Sequence, residues 1–123
     1  MRFMAIIYGN SEVWASFSAE EFTQAVQAQD SWDAGARAGG ELVGAYGLAD
    51  APRARTVRRR EGAVAVSEGP YLETKEHLAS AYLLECVDLE RAVQVASEIP
   101  WASVGAVELW PVTHGDGATR EAP

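Results

Sequence analysis

The chain has 123 residues, 18 acidic against 10 basic side chains, a formal charge of −8 and a single cysteine. That length suits one domain around one core, and size scaling lets such a domain stand without a disulfide or a structural metal. The excess of acid excludes a phosphate-tracking nucleic-acid binder as the main reading, because neutralising phosphates needs a net basic surface.

Cys86 alone closes no internal bridge. Together with an opening "MRFMAIIYG" that passes straight into polar sequence, this gives the cytoplasm as the expected compartment. The apolar opening is too short to cross a bilayer, so no membrane role is expected.

Residues 2–8, "RFMAIIY", read as a strand that is apolar on both faces, with Met4, Ile6 and Tyr8 on one and Phe3, Ala5 and Ile7 on the other. A helix follows. Ser18 stands as N-cap with Glu21 three residues on as a capping box, and Phe17 and Phe22 occupy the positions of a hydrophobic staple. Phe22, Ala25, Val26, Trp32 and Ala36 recur at helical spacing until Gly39-Gly40 ends the run.

"ELVGAYG" (41–47) is a short strand and "ADAPRAR" (49–55) a loop; "TVRRREGAVAVS" (56–67) is a hairpin turning at Glu61-Gly62. "SAYLLECV" (80–87) is a further strand, "DLERAVQVASEI" (88–99) a helix capped by Asp88 and stopped by Pro100, and "VGAVELWPV" (104–112) the last strand. Residues 1–112 thus form the domain, and 113–123 are a polar, Gly-containing tail expected to fray.

The order β-α-β, hairpin, β-α-β resembles the ferredoxin-like α+β sandwich with an elaborated middle. Two helices cover one face of such a sheet. The first strand and "AYLLECV" are apolar on the other face as well, which makes a second copy of the chain the expected cover and a homodimer the expected state.

Between hairpin and third long strand lies "EGPYLETKE" (68–76), with three glutamates, a lysine and a tyrosine in nine positions. Together with "FMAIIYG", "GGELVGAYGL" and the "YLLECV" and "ELWPV" strands, it resembles the signature of the DGPF (DGPFAETKE) family of YCII-related proteins over about residues 1–112. The resemblance implies a ferredoxin-like chain assembling as a dimeric α+β barrel, in a family mostly of unknown function. It also brings an analogy of fold with small-molecule enzymes, among them a dehydrochlorinase and muconolactone isomerases, and fold alone is a weak warrant for activity. This chain departs from the pattern at Glu68 for Asp, at Tyr71 for Phe, and at Trp110 where the family commonly has arginine.

The motif has chemistry of its own. In extended backbone Glu73 and Lys75 share a face, so Glu73 holds the ammonium by a charge-assisted hydrogen bond. In a partly buried cleft Lys75 orients an anionic substrate, a glutamate of raised pKa moves a proton beside a carbonyl or enol, and Tyr71 donates its hydroxyl. Glu76 and His77 are further proton-transfer candidates, and Glu68 and Trp110 are candidates for ligand contact. The competing reading is a Gly69-Pro70 turn with a solvated net of charges worth about 0 to 1 kcal/mol per exposed pair. Two functions therefore stand: a small proton-transfer enzyme, isomerase or lyase-like, on a small polar or aromatic molecule in a dimer cavity, or a non-catalytic dimeric ligand-binding or regulatory protein whose motif is structural.

The remaining residue types add little chemistry. Two histidines, His77 and His114, and one cysteine make no zinc set, no glycine run opens a helix after a strand as a phosphate loop must, and no cofactor is called for. Cys86 reads as a buried small hydrophobe. Trp14, Trp32, Trp101 and Trp110 are the aromatics available to wall a flat-ligand pocket; Trp32 sits on the helix stripe and so belongs to the core, whereas Trp110 faces away from Leu109, toward a pocket or interface. Arg58, Arg59 and Arg60 read as a solvated hairpin edge that discourages sheet-to-sheet association.

Overall fold

The computed structural model describes residues 1–72 and 74–115. Strand β1 (Arg2–Gly9) leads into a short helix α1 (Ser11–Ala15) and the long helix α2 (Ala19–Ala38). Strand β2 (Leu42–Gly47) is followed by a 3₁₀ turn (Ala51–Arg53) and a hairpin of β3 (Arg55–Arg60) and β4 (Ala63–Glu68). Then come β5 (His77–Glu85), α3 (Leu89–Ser97), a second 3₁₀ turn (Pro100–Ser103) and β6 (Ala106–Pro111). β2, β5, β1 and β6 form a four-stranded sheet in that order, every neighbouring pair antiparallel, while β3 and β4 form a separate two-stranded sheet. This is the ferredoxin-like α+β order with a hairpin inserted between its halves.

The elements begin where their caps dictate. Ser18 Oγ accepts from the Glu21 amide at 3.0 Å, and the Glu21 carboxylate accepts from the Ser18 amide at 3.0 Å, closing the expected capping box. Those bonds hold the Glu21 carboxyl below its ordinary pKa. Asp88 caps α3 through the Arg91 amide at 2.8 Å, and the β3–β4 turn places Glu61 and Gly62 at φ of 51° and 80°, the left-handed pair that a tight hairpin needs. Helix α1 is the element the apolar pattern missed. Asn10 starts it directly after β1 by accepting from the Glu12 amide at 2.9 Å.

The period-2 pattern of β1 separates the two faces as expected. Phe3, Ala5 and Ile7 are buried beneath the helices with Leu42, Tyr82, Leu84, Ala92, Val95, Ala96 and Ile99. Cys86 is buried at the end of β5, and burial raises its thiol pKa, reinforced by the nearby Glu41 carboxylate, which makes it an inert core group. Trp32 packs against this core and stacks on Tyr82 with ring centres 5.8 Å apart.

The buried residue of α2 is polar, however: Gln29 donates to Tyr82 Oη at 2.7 Å and to Asp33 Oδ1 at 3.0 Å, and its carbonyl accepts from the Trp101 amide at 3.3 Å. Phe22, at the head of the expected stripe, stays largely exposed. Among the described glycines the closest approach is at Gly105, where a Cβ would lie 2.0 Å from the Tyr8 carbonyl oxygen, so only glycine lets β6 start beside the end of β1.

The opposite face carries Met4, Ile6, Tyr8, Ala81, Leu83, Glu108 and Trp110, placed together by the registers Met4↔Leu83, Met4↔Trp110, Ile6↔Ala81 and Ile6↔Glu108. Among the described residues no helix packs over it; Met4, Ile6, Tyr8 and Leu83 are half-buried and Trp110 is 58% exposed. No helix is long and apolar enough to cross a membrane among the described residues.

Candidate functional site

An open cleft of about 800 Å³ lies on the helix side, at the end of the sheet where β1 stops and β5 starts. Its floor is Ile7 and Gly9 of β1 with His77, Leu78, Ala79 and Ser80 of β5. One wall is aromatic. The Asn10 cap turns α1 back over the strand it has just left, and Trp14 lands above Gly9, where a Cβ would sit 2.8 Å from the indole nitrogen. Trp14 makes edge-on contacts with Phe22 at 6.4 Å and Trp101 at 4.7 Å, and all three rings line the cleft. The buried Gln29 bond to the Trp101 backbone fixes the far side of this wall.

The other wall is the connection after β2, residues 48–52, with Asp50, joined by Pro70 from the motif. Leu48 is tied to β5 by its amide to the Ala79 carbonyl at 2.9 Å, and the Asp50 carbonyl accepts from Arg53 at 2.9 Å to start the 3₁₀ turn. Gly69, at φ 90°, donates to the Ala54 carbonyl at 2.8 Å, and its own carbonyl accepts from Thr56 Oγ1 at 2.9 Å. These bonds anchor the start of the motif to the base of the hairpin and bring Pro70 to the mouth of the cleft.

The motif side chains do not converge there. Residues 69–72 and 74–76 are bends and irregular loop rather than strand, so the alternation expected of extended backbone has no footing in them. Tyr71 is 67% exposed, with the Arg58 guanidinium 4.9 Å from its ring centre, a cation–π contact on the hairpin. Glu68 and Lys75 are exposed, and the Thr74 hydroxyl donates to the Glu76 carbonyl. Glu76 lines a shallower recess with Tyr8, Ser103 and Gly105. Glu73 lies outside the described residues. Of the proton-transfer and ligand-contact candidates named from sequence, His77 alone among the described residues lines the large cleft, together with Trp14 and Trp101 of the aromatics named for a pocket wall.

Trp110 stands on the uncovered sheet face. Its Nε1–H donates to Glu108 Oε1 at 2.8 Å, and Tyr8 Oη donates to the same oxygen at 3.3 Å. Partial burial, and then the Glu108 carboxylate, raise the Tyr8 pKa, so the phenol stays a donor. Among the described residues no group of three or more His, Cys, Asp or Glu side chains is placed to hold a metal.

A family profile for the YCII-related domain matches residues 1–115. The chain belongs to the YCII-related family. A similar protein from Rhizobium meliloti (strain 1021) is 28% identical over 114 residues, covering 91% of this chain and 92% of its own, and is described there as uncharacterized. In this YCII-related chain sequence reasoning missed Asp50, Ser80 and Phe22 as cleft residues, and it had no reason to prefer Trp14 and Trp101 over the other tryptophans. The signal for Trp14 was present in "GNSEVW", where Asn followed by an acidic first turn is a helix start placed one residue after a strand.

Proposed function

We propose that this YCII-related chain is a small-molecule protein acting as a homodimer, and that the helix-side cleft is a proton-transfer site of the isomerase or lyase kind for a flat, polar or aromatic compound. The observation that carries this is the joint presence of His77 with Trp14, Phe22 and Trp101 around one cleft of about 800 Å³. That volume is in the range of small-molecule sites, and an apolar aromatic wall with few polar groups is what such sites use to bind and orient. In this reading the His77 imidazole takes a proton from the carbon beside a carbonyl. The resulting imidazolium returns it at another carbon in an isomerisation; in an elimination a leaving group departs as the double bond forms. In this reading Ser80, a polar residue of the lining, is the donor to the developing oxyanion.

Solvent exchange tests this without knowledge of the natural substrate. Cyclic enones and hydroxylated aromatic acids in deuterium oxide, followed by proton NMR, should lose carbon-bound protons faster with the protein. His77→Gln should slow that exchange about 100-fold or more while leaving the melting temperature unchanged. Absence of both binding and exchange across such a panel would refute the catalytic reading.

A second reading rests on a separate observation, the exposure of Tyr71, Glu68 and Lys75 away from the cleft. In it the protein is a non-catalytic ligand-binding or regulatory dimer, and the motif serves to fasten the loop to the hairpin. Binding without exchange, unaltered by His77→Gln, would favour it.

A further inference from the structure

Strand β5 changes phase at the cleft. Ile7 pairs with Ser80 and Tyr8 with Leu78, which leaves Ala79 as an extra residue in β5. Ser80, Tyr82 and Leu84 are its buried, helix-side residues, so strict alternation would send His77 to the opposite face with Leu83. The extra residue reverses that parity and sets His77 opposite Gly9, the buried end of β1, where it lines the cleft. A ladder defect that carries a polar side chain into an apolar, ring-walled space marks that space as a built site.

The charge of that space is one-sided. Among the described residues no lysine or arginine lines it, and Asp50 is its carboxylate. Lys75, expected from sequence to hold an anionic substrate, is exposed and stands outside the lining. The Asp50 side chain is left free for a ligand: its backbone carbonyl starts the 3₁₀ turn, yet its carboxylate makes no capping bond and no ion pair among the described residues. On the other wall Trp14 stands at 86° to both Phe22 and Trp101, so the rings form a corner rather than a flat stack. Ring faces attract ammonium groups, and aromatic rings set about one space are how quaternary and methylated amines are recognised. A carboxylate ligand would leave its hydration for a lining without a cation, in a chain that already carries a charge of −8.

We propose that the cleft takes an organic cation, a small compound whose alkylated ammonium group lies between the rings of Trp14, Phe22 and Trp101 and the Asp50 carboxylate, with its remaining polar part toward His77. This rests on the reading of the helix-side cleft as a small-molecule site; it names the ligand class and assigns Asp50 as the residue that selects it. Neutral ligands of the same shape keep the apolar contacts and lose the charge attraction. Anionic ligands lose both, so aromatic acids rank last among compounds offered to the protein.

Calorimetric titration of the full chain at neutral pH with three probes of one shape tests it: meta-hydroxyphenyltrimethylammonium, its uncharged carbon isostere meta-tert-butylphenol, and meta-hydroxybenzoate. The cation should bind about 10-fold tighter than the isostere, and the benzoate weakest. Asp50→Asn, at an exposed side chain, should bring the cation within about threefold of the isostere while leaving the isostere's affinity unchanged. Phe22→Leu, which keeps an apolar group and removes a ring face, should also weaken the cation more than the isostere. Isostere bound as tightly as the cation, or benzoate bound tighter, would overturn the ligand class and leave the cleft a small-molecule site. A cation preference untouched by Asp50→Asn would be the general pull of an acidic chain and would overturn the assignment. Binding of none of the three would overturn both the ligand class and the cleft. Selective binding of the cation without proton exchange would uphold this inference and remove the catalytic reading alone.

Discussion

The two faces of the four-stranded sheet are built from equally apolar strands and meet different surroundings. On one side Phe3, Ala5, Ile7 and Leu84 lie under α2 and α3; on the other Met4, Ile6, Leu83 and Trp110 have no helix over them among the described residues. The same backbone supplies both sets, since residues alternate across a strand. What differs is only where the helices fall. Apolar residues on the second face gain less from folding of the single chain than those under the helices, and the proposed homodimer would add its stabilisation there.

The sharpest way to break this comparison is to truncate neighbours on opposite faces of β5. Leu84→Ala, at a fully buried site, should cost about 2–5 kcal/mol in urea unfolding, independent of protein concentration. Leu83→Ala should cost under about 1 kcal/mol where the chain is monomeric, with a larger, concentration-dependent loss where it is associated. Equal and concentration-independent losses at both positions would mean that the open face is covered within the chain.

A smaller effect sharpens the helix side. Gln29→Leu removes the bonds to Tyr82, Asp33 and the Trp101 amide, and should cost about 1–3 kcal/mol because buried partners are left unpaired. Since Gln29 also holds Trp101 at the cleft, ligand affinity should fall with it. Tryptophan fluorescence and calorimetric titration read the two losses separately, and retained stability with retained affinity would deny the link.

The smallest effect is electrostatic. Arg91 holds Glu41 through bonds of 2.6 and 2.8 Å, tying the start of β2 to α3, and these bonds, outweighing partial desolvation, keep the Glu41 carboxyl below its usual pKa. A carboxyl depressed in the folded state stabilises it above the unfolded pKa and loses that contribution as pH falls through the folded value. Glu41→Gln should therefore lower stability by less than about 1 kcal/mol at pH 7, and the difference from wild type should vanish on acidification. A difference that grows as pH falls would contradict the pairing.

The fold was largely legible because its signals are local. Ser18–Glu21, Asp88 and Glu61-Gly62 mark caps and a turn by side-chain and backbone preferences that act over a few residues, and the alternation of β1 identified both of its faces. Gln29 escaped notice because its burial depends on Tyr82 and Trp101, far away in sequence, and nothing in a helical apolar stripe announces a buried amide. The cleft was hidden for the same reason: Trp14, Asp50 and His77 come from three separate connections that only the packed sheet brings around one space. The motif attracted attention through charge density, whereas charge density in a bend is as readily solvated as used.

One bond at the base of the hairpin has a consequence for how this chain can vary. The Gly69 amide meets the Ala54 carbonyl at 2.8 Å, so the ends of the excursion 55–68 are joined across its root. The ribbon is in effect a removable cassette. It can lengthen, shorten or exchange its sequence without rethreading β2 or β5.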